Sequence, residues 1–273
     1  MTHVVAIDDR DTIAAWLRRD EAMHVYALAD LDDFFWPQTR WWAIHDRAGA
    51  PQANEIHALA FVLGGFEPPL LYAVARPNDP ATARLLTELA PQLPQQCFVN
   101  LMHGALASLA GYSLGSAGTF MKMTISDADA QRCFAATEVR VLTPSDLAAL
   151  NALHATEPIN TNDIRFFQPY MLERWPYAGI FAGTELIAAG GCHVLSEQFG
   201  VAAIGNVLTH PQWRGRSLAT RITQALCAWL APRVATIGLN VKVNNAAAVH
   251  CYTRIGFREV VRYEEGVLER RAR

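Results

Sequence analysis

One segment in the second half of the chain combines residue types that bind anions. An apolar run over Val201 to Thr209 predicts a strand, and a helical pattern over Leu218 to Ala231 follows it after a short loop. The first N–H groups of a helix lack internal partners, and the helix dipole favours negative charge there. The loop and first turn contain the small residues Gly215, Ser217 and Ala219 and the arginines Arg214 and Arg216. Small residues admit phosphate oxygens and arginines add charge-assisted hydrogen bonds, so the segment predicts a pyrophosphate site.

A second segment carries a tyrosine that can donate a proton. It runs Asn245-Ala246-Ala247-Ala248-Val249-His250-Cys251-Tyr252 and is followed by Ile255-Gly256-Phe257. Taken alone, the loop fits an ordinary strand-to-helix turn and Tyr252 fits a half-buried aromatic residue of a helix. Asn245 is suited to cap the helix that follows it. The two segments carry more weight together, because one predicted strand separates them.

Together these segments resemble the GNAT superfamily of acyl-CoA N-acyltransferases over roughly the last half of the chain. The superfamily's cofactor motif, Gln/Arg-x-x-Gly-x-Gly/Ala, is matched by Arg214, Ser217 and Ala219. The strand end Val207-Leu208-Thr209-His210-Pro211 and the later Asn-x-x-Ala-x-x-x-Tyr…Gly-Phe pattern extend the resemblance. Ser217 stands where the family usually has glycine, and its hydroxyl would either bond the pyrophosphate or crowd it; we expect binding.

The resemblance implies acetyl-CoA as co-substrate and a role for each matched residue. Backbone groups of Val207 and Thr209 would hold the pantetheine arm, and residues 214–220 would hold the pyrophosphate. The N–H near Val207 would polarise the thioester carbonyl, and Tyr252 would donate a proton or hydrogen bond to the departing thiolate. The implied coenzyme-binding residues are Val207, Leu208, Thr209, Arg214, Gly215, Arg216, Ser217, Leu218, Ala219, Thr220, Asn245, Ala248 and Tyr252.

The base that receives the amine proton is not identified by the sequence. Members of the family that use a glutamate on the strand before the loop would carry it at about Ala203, so that solution is absent here. The candidates on neighbouring segments are His193, Glu197, Glu264 and Glu265, although the sequence favours a solvated or satisfied polar residue at each of these positions. Cys227 and Cys251 are not needed as nucleophiles.

The acceptor is equally open. An aromatic-rich connection from Glu157 to Trp175 occupies the place of the family's substrate wall, and its Asn160, Asn162 and Asp163 would recognise an amino group or serve as caps. We therefore expect an enzyme that moves an acyl group, acetyl in the first instance, from coenzyme A to a primary amine by direct attack in a ternary complex. The amine belongs to a small molecule, a peptide or a protein. The rival hypothesis is a catalytically silent acyl-CoA-binding regulatory module.

The element pattern predicts an α/β protein with mixed sheets in two domains, residues 1–135 and 136–273. The first half has the same rhythm of helices and strands but lacks the arginine-containing loop. It is either a degenerate GNAT-like copy, which the element order favours, or an unrelated α/β domain. We expect it to shape the substrate cleft or a homodimer face rather than to bind a second coenzyme.

Several boundaries follow from local signals. We predict helices over Thr12 to Arg19, from Asn78-Asp79-Pro80 to Leu89, and over Ala246 to Ile255. The polar stretch Ser126 to Ala130 reads as an inter-domain connection, and Phe257 to Val261 as the last strand.

Composition narrows the class of protein. The 273 residues include 23 basic and 26 acidic ones, a net charge of −3 that disfavours nucleic acid as partner. The five cysteines form no CxxC pair, and their odd number argues against a fully paired disulfide framework. Histidine pairs spaced for zinc are absent, so no metal is expected. No signal-peptide pattern or bilayer-length apolar run occurs, which favours a cytoplasmic protein without a membrane partner.

Overall fold

The structure, a computed structural model, describes residues 2–46, 49–156 and 169–271. It forms two compact units, and both are discontinuous in sequence. The first unit comprises residues 1–122, 242–244 and 260–273, and the second comprises residues 123–241 and 245–259. A single cut near residue 135 therefore describes the division incompletely, because the last segment of the chain belongs to the first unit.

The first unit is built around a mainly antiparallel sheet. Its elements are β1 (His3–Ile7), α1 (Arg10–Leu17), α2 (Val25–Ala29), β2 (Thr39–His45), β3 (Ile56–Leu63), β4 (Leu70–Ala73), α3 (Pro80–Leu89), β5 (Gln96–Met102), most of β6 (Tyr112–Ile125) and most of β12 (Arg258–Arg270). The strands are arranged in the order β1-β2-β3-β4-β5-β12-β6. Strands β4 and β5 run parallel and are joined by α3, whose leucines lie in the buried core.

The last strand is much longer than predicted. We expected it over Phe257 to Val261, but β12 continues to Arg270 and pairs antiparallel with β5 from Tyr263↔Met102 to Glu269↔Gln96. Leu268 on this strand is fully buried in the core of the first unit. The prediction failed because the partner strand lies more than half the chain away, and local patterns carry no record of such a pairing.

Like the first unit, the second unit contains a pair of parallel strands joined by a helix. Its elements are α4 (Asp127–Ala130), β7 (Arg140–Val141), α5 (Leu147–Ala155), α6 (Tyr170–Arg174), β8 (Tyr177–Ala182), β9 (Glu185–Ser196), β10 (Val201–Thr209), α7 (Leu218–Leu230), β11 (Thr236–Lys242) and α8 (Ala246–Ile255). Its strand order is β11-β10-β9-β8-β7. The predicted fold class, α/β with mixed sheets, is confirmed.

Helix α7 fixes the position of the loop that precedes it. Its apolar stripe, Ile222, Leu226 and Leu230, is fully buried, as expected for residues spaced three or four apart on one helix face. A Cβ atom at Gly190 of β9 would lie 2.8 Å from Cγ2 of Ile222, so the helix approaches the sheet closely at that glycine. The start of α7 is thereby held against the sheet at the end of β10.

Short elements account for the remaining differences from prediction. Residues Ser126 to Ala130, expected as a connection, form α4 with Ser126 as cap, whose Oγ accepts from the Asp129 N–H at 3.1 Å. Elements β1, α2 and α6 have five residues each, too few to show a hydrophobic period in the sequence. None of the helices in the described ranges is long and apolar enough to span a bilayer.

Replacing Gly191 with alanine should destabilise the second unit. A Cβ atom there would lie 2.2 Å from Cδ2 of Tyr177, a ring that is fully buried, so β8 and β9 would have to separate. Overpacking of this kind costs about 1–3 kcal/mol of unfolding free energy, measurable by denaturant unfolding. Gly115→Ala is the matched control, because its nearest atom would be the Val267 carbonyl oxygen at 3.8 Å. Equal midpoints for both variants would contradict the expected clash.

Candidate functional site

The two parallel strands of the second unit separate part-way along their length. β10 pairs with β11 from Val201↔Thr236 to Ile204↔Leu239, and in the described residues no pair follows, although both strands continue. On its other side β10 remains paired with β9, through Leu208↔Ala189 and Thr209↔Ala188. A gap therefore opens between β10 and β11 beyond Ile204, which we call the β10–β11 gap.

Two residues of β10 turn their backbone polar groups towards this gap. The His210 N–H donates to the Ile187 carbonyl of β9 at 2.9 Å. Backbone polar groups alternate sides along a strand, so Leu208 faces β9, whereas Val207 and Thr209 face away from it. These are the two residues for which the sequence resemblance implied backbone contacts to a pantetheine arm.

A bulge at Asn206 produces the separation. The pairing of β10 with β9 shifts register between Gly205 and Leu208, and Asn206 has a left-handed backbone with φ of 52°. Asparagine is among the few residues that enter this region readily, and a bulge bends its strand. The sequence signal for this bulge is Gly205, because an isolated glycine inside a strand pattern suggests one.

The start of α7 offers unpaired N–H groups. The first helical hydrogen bond runs from Arg221 N–H to the Ser217 carbonyl at 3.1 Å, which leaves the N–H groups of Leu218, Ala219 and Thr220 without helical partners. No side chain caps this end, and its first turn contains no acidic residue. Residues 214–217 are exposed. A helix terminus with this geometry attracts anions.

Arg221 secures the loop from behind. Its guanidinium donates to the Arg216 carbonyl oxygen at 2.8 Å and forms an ion pair with Glu138. The same guanidinium lowers the pKa of the Glu138 carboxyl, which therefore stays ionised. Arg221 is a member of the site that the motif did not indicate.

The two arginines of the loop make different contacts. Arg214 Nε lies 3.4 Å from the Thr209 carbonyl oxygen, which connects the loop to the end of β10. The Arg216 guanidinium lies over the Trp213 ring, 4.7 Å from its centroid. Stacking of this kind leaves guanidinium N–H groups at the ring edge able to bond an anion.

Backbone conformation explains the small residues of the loop. Gly215 and Ser217 have φ of 78° and 59°, both in the left-handed region that glycine favours. For Ser217, where the family usually has glycine, the departure is therefore a matter of backbone strain in addition to the hydroxyl. A residue other than glycine pays about 1–2 kcal/mol in this conformation.

Helix α8 carries the predicted tyrosine. Asn245 caps the helix, with Oδ1 accepting from the Ala248 N–H at 3.1 Å. Tyr252 is 8% exposed, its ring packs edge-on against Phe257, and among the described residues its hydroxyl has no hydrogen-bond partner. Thr220 Oγ1 lies 3.2 Å from Cys251 Sγ, so the first turn of α7 touches α8 one residue before Tyr252.

Most predicted residues are therefore brought into one region, but not all. Contacts connect Thr209 to Arg214 and Thr220 to Cys251, whereas Asn245 and Ala248 serve the start of α8. Ala203 is fully buried within the sheet. The possible acceptor contacts Asn160, Asn162 and Asp163 lie outside the described residues. Within the described ranges, no three His, Cys, Asp or Glu side chains are grouped to hold a metal.

Comparison with known families identifies this region. Residues 147–257, which include the whole site, match the model of the Acetyltransferase (GNAT) family. This part of the chain belongs to the GNAT family. Family membership supports acyl transfer from coenzyme A in general terms. A search of curated proteins found no match.

Solved structures extend the fold to nearly the whole chain. A Drosophila protein of known structure superposes with a TM-score of 0.73 at 15% identity, covering 98% of both chains. A tandem GNAT protein from the clavulanic acid biosynthesis pathway covers 100% of both chains with a TM-score of 0.57 and 14% identity. A GNAT-family acetyltransferase from Colwellia psychrerythraea covers 97% of this chain and 98% of its own, with a TM-score of 0.51 and 15% identity. The predicted GNAT-like fold of the N-terminal half is thereby confirmed.

Replacing Ser217 with glycine should stabilise the protein. Glycine relieves the left-handed strain, which we expect to raise the unfolding free energy by up to about 1 kcal/mol, while backbone N–H groups continue to bind acetyl-CoA. Denaturant unfolding and calorimetric titration measure the two effects. Ser145→Gly is the control, because Ser145 is exposed and outside the left-handed region, so it should lose stability. A marked loss of affinity in the Ser217 variant would show that the hydroxyl contacts the ligand.

Proposed function

We propose that this protein transfers an acyl group, acetyl in the first instance, from coenzyme A to a primary amine. The observation that carries the proposal is the β10–β11 gap, which backbone groups of Val207 and Thr209 face and which is followed along the chain by an exposed, uncapped helix terminus. A strand-like pantetheine arm and a pyrophosphate need these two features side by side. Membership of residues 147–257 in the GNAT family supports the assignment.

Coenzyme A would be bound mainly through backbone groups. The pyrophosphate would accept hydrogen bonds from the N–H groups at the start of α7, with added charge from Arg214 and Arg216. The amide groups of the pantetheine arm would pair with Val207 and Thr209 as an added strand does. Recognition through backbone groups would place few demands on the identity of the loop side chains.

The acyl transfer itself would use two fixed donors. The Val207 N–H points into the β10–β11 gap, where it would stabilise the oxyanion that forms as the amine attacks the thioester carbonyl. Burial, followed by the adjacent Cys251 thiol, raises the pKa of the Tyr252 hydroxyl, so this group stays protonated across the physiological range. A protonated, unbonded hydroxyl is suited to donate to the departing thiolate.

The acceptor would be a primary amine of a small molecule, a peptide or a protein. Direct attack in a ternary complex requires no covalent enzyme intermediate. Neither cysteine near the site is suited to act as a nucleophile, since burial raises the pKa of the Cys251 thiol and Cys227 is fully buried.

The decisive test is whether the protein turns over acetyl-CoA with any member of an amine panel. A second test measures acetyl-CoA binding in a variant whose α7 terminus is blocked by a larger side chain. We expect Ala219→Leu to weaken acetyl-CoA binding by calorimetry about tenfold or more, because the larger side chain projects from the first turn beside the N–H donors. Ala228→Leu on the same helix is the matched control, since Ala228 borders a cavity of about 340 Å³ that can accept the side chain. Binding of acetyl-CoA without turnover of any amine would favour the silent binding module. Equal affinity in both folded variants would mean that the pyrophosphate lies elsewhere.

Tyr252→Phe should lower the turnover rate while leaving acetyl-CoA affinity intact. The hydroxyl matters only when negative charge reaches sulfur, so we expect a loss of roughly ten- to a thousand-fold in kcat. Steady-state kinetics with acyl donors of different thiol acidity provide the check, because a more acidic thiol needs less assistance and should recover part of the rate. A raised KM with unchanged kcat would instead identify a binding contact.

A further inference from the structure

Of the four candidates for the base that receives the amine proton, Glu197 and His193 belong to the unit that contains the site. Glu264 and Glu265 lie on the part of β12 that belongs to the first unit, with His103 and the Tyr263 hydroxyl as partners. Glu197 lies in the turn between β9 and β10 and forms an ion pair with Arg233 at 2.6 Å. This turn precedes Val207 by most of β10, a distance of about 20 Å at 3.3 Å per residue. Within the second unit, His193 is the candidate that lies beside the site.

His193 packs directly against the strand that forms the gap. A Cβ atom at Gly205 would lie 2.4 Å from Cε1 and Nε2 of the His193 ring, so the ring rests on the backbone one residue before the bulge. A side chain at position 205 would displace it. The glycine therefore gives the imidazole access to the β10 backbone beside Asn206 and Val207.

A hydrogen-bond network holds the imidazole in place. Asn206 Nδ2 donates to the Tyr177 hydroxyl oxygen at 2.9 Å, and hydrogen bonding by the same Asn206 side chain raises the pKa of His193, whose Nε2 is buried. Tyr177 in turn donates to Met171 Sδ at 3.5 Å. The left-handed backbone of Asn206 that opens the gap also directs its amide into this network.

The network lies on the face of the sheet opposite α7. Gly205, Gly191 and Tyr177 are paired across three adjacent strands, so their side chains share one face. A Cβ atom at the neighbouring Gly190 would lie on the other face, close to Val207 of β10 and Ile222 of α7. If coenzyme A occupies the α7 side of the gap, an amine that attacks from the opposite side meets His193.

We propose that His193 accepts the proton of the acceptor amine, and that Asn206 and Tyr177 are positioning residues that orient its ring. This inference rests on the proposed function and assigns the base that the sequence left open. In the step, the amine nitrogen forms a bond to the thioester carbonyl carbon and its proton passes to the imidazole. The C–S bond then breaks and the thiolate takes a proton from Tyr252. His193 releases its proton to solvent and Tyr252 takes one up from solvent, so both groups return to their starting states. The products are an amide and free coenzyme A.

The titration of His193 suits this role. Burial lowers its pKa from 6.5, and the hydrogen bond with Asn206 opposes that shift. The elements packed against β9 are β8, β10, α5, α6 and α7, whose titratable groups include Tyr177, His154, Tyr170, Glu173, Arg174 and Arg221. Burial and Asn206, rather than a charge on these elements, set the pKa. The imidazole is therefore neutral at pH 7 and able to take a proton.

The main experiment compares His193→Gln with wild type across pH. Glutamine can keep a hydrogen bond to Asn206 but cannot serve as a base. We expect kcat/KM for the amine at pH 7 to fall about a hundredfold or more, with unchanged calorimetric affinity for acetyl-CoA. The wild-type profile should have an acid limb below pH 6.5 that the variant lacks. His57→Gln, an exposed histidine on β3, is the control and should keep the wild-type profile.

A second variant tests the network without removing the base. Asn206→Gly keeps the left-handed backbone but removes the hydrogen bond that raises the pKa of His193, so the acid limb should move to lower pH with a smaller loss of rate. Asn78→Gly is matched to it, because Asn78 also has a left-handed φ, 63°, and is exposed. This pair stays informative if His193→Gln fails to fold.

The outcomes separate the two proposals. If the wild-type protein turns over acetyl-CoA and folded His193→Gln keeps the same rate or the same acid limb, the base assignment alone is overturned. An acid limb that does not move in Asn206→Gly also counts against it. Acetyl-CoA binding without turnover by the wild-type protein overturns the proposed function and this assignment together.

Discussion

The bulge at Asn206 is the constraint on which the site depends. A regular strand would continue to pair with β11 on one side and β9 on the other, and its backbone groups would all be used. In β10, pairing with β11 ends after Ile204, close to the left-handed Asn206, whereas Leu208 and Thr209 remain paired with β9. Backbone groups of Val207 and Thr209 are thereby left facing a gap, and the amide of Asn206 is turned to the opposite face. One residue thus prepares both sides of the site.

Strain is concentrated where ligand contact is expected. Asn206 and Ser217 are two of the three described residues other than glycine with a left-handed backbone, and they flank the segment from the gap to the helix terminus. Such conformations persist only where surrounding contacts hold them. Here β9 holds one side of the segment, and the Arg221 bond to the Arg216 carbonyl with its Glu138 ion pair holds the other.

The sequence allowed the local parts of this site to be predicted and left the long-range parts open. The bounds of β10 and α8 were predicted as found, because strand periodicity, an Asn cap and a C-terminal glycine are local signals. The loop at 214–217 followed from the same signals and the motif. The choice of His193 among four candidates did not, since only the pairing of β9 with β10 brings it beside Gly205 and Asn206. The extent of β12 depended on β5 in the same way.

The first unit shows by contrast what the site requires. Its helix α3 bridges parallel strands as α7 does, but β4 stays paired with β5 up to its last residue, Ala73, so no gap opens. The start of α3 is also closed: Asp79 accepts from the Thr82 N–H at 2.7 Å, and Pro80 has no N–H to offer. A pyrophosphate there would meet a carboxylate instead of unpaired donors. The same fold therefore supports an anion site only where the strand bulges and the helix terminus is left uncapped, and in this chain both conditions are met in the second unit.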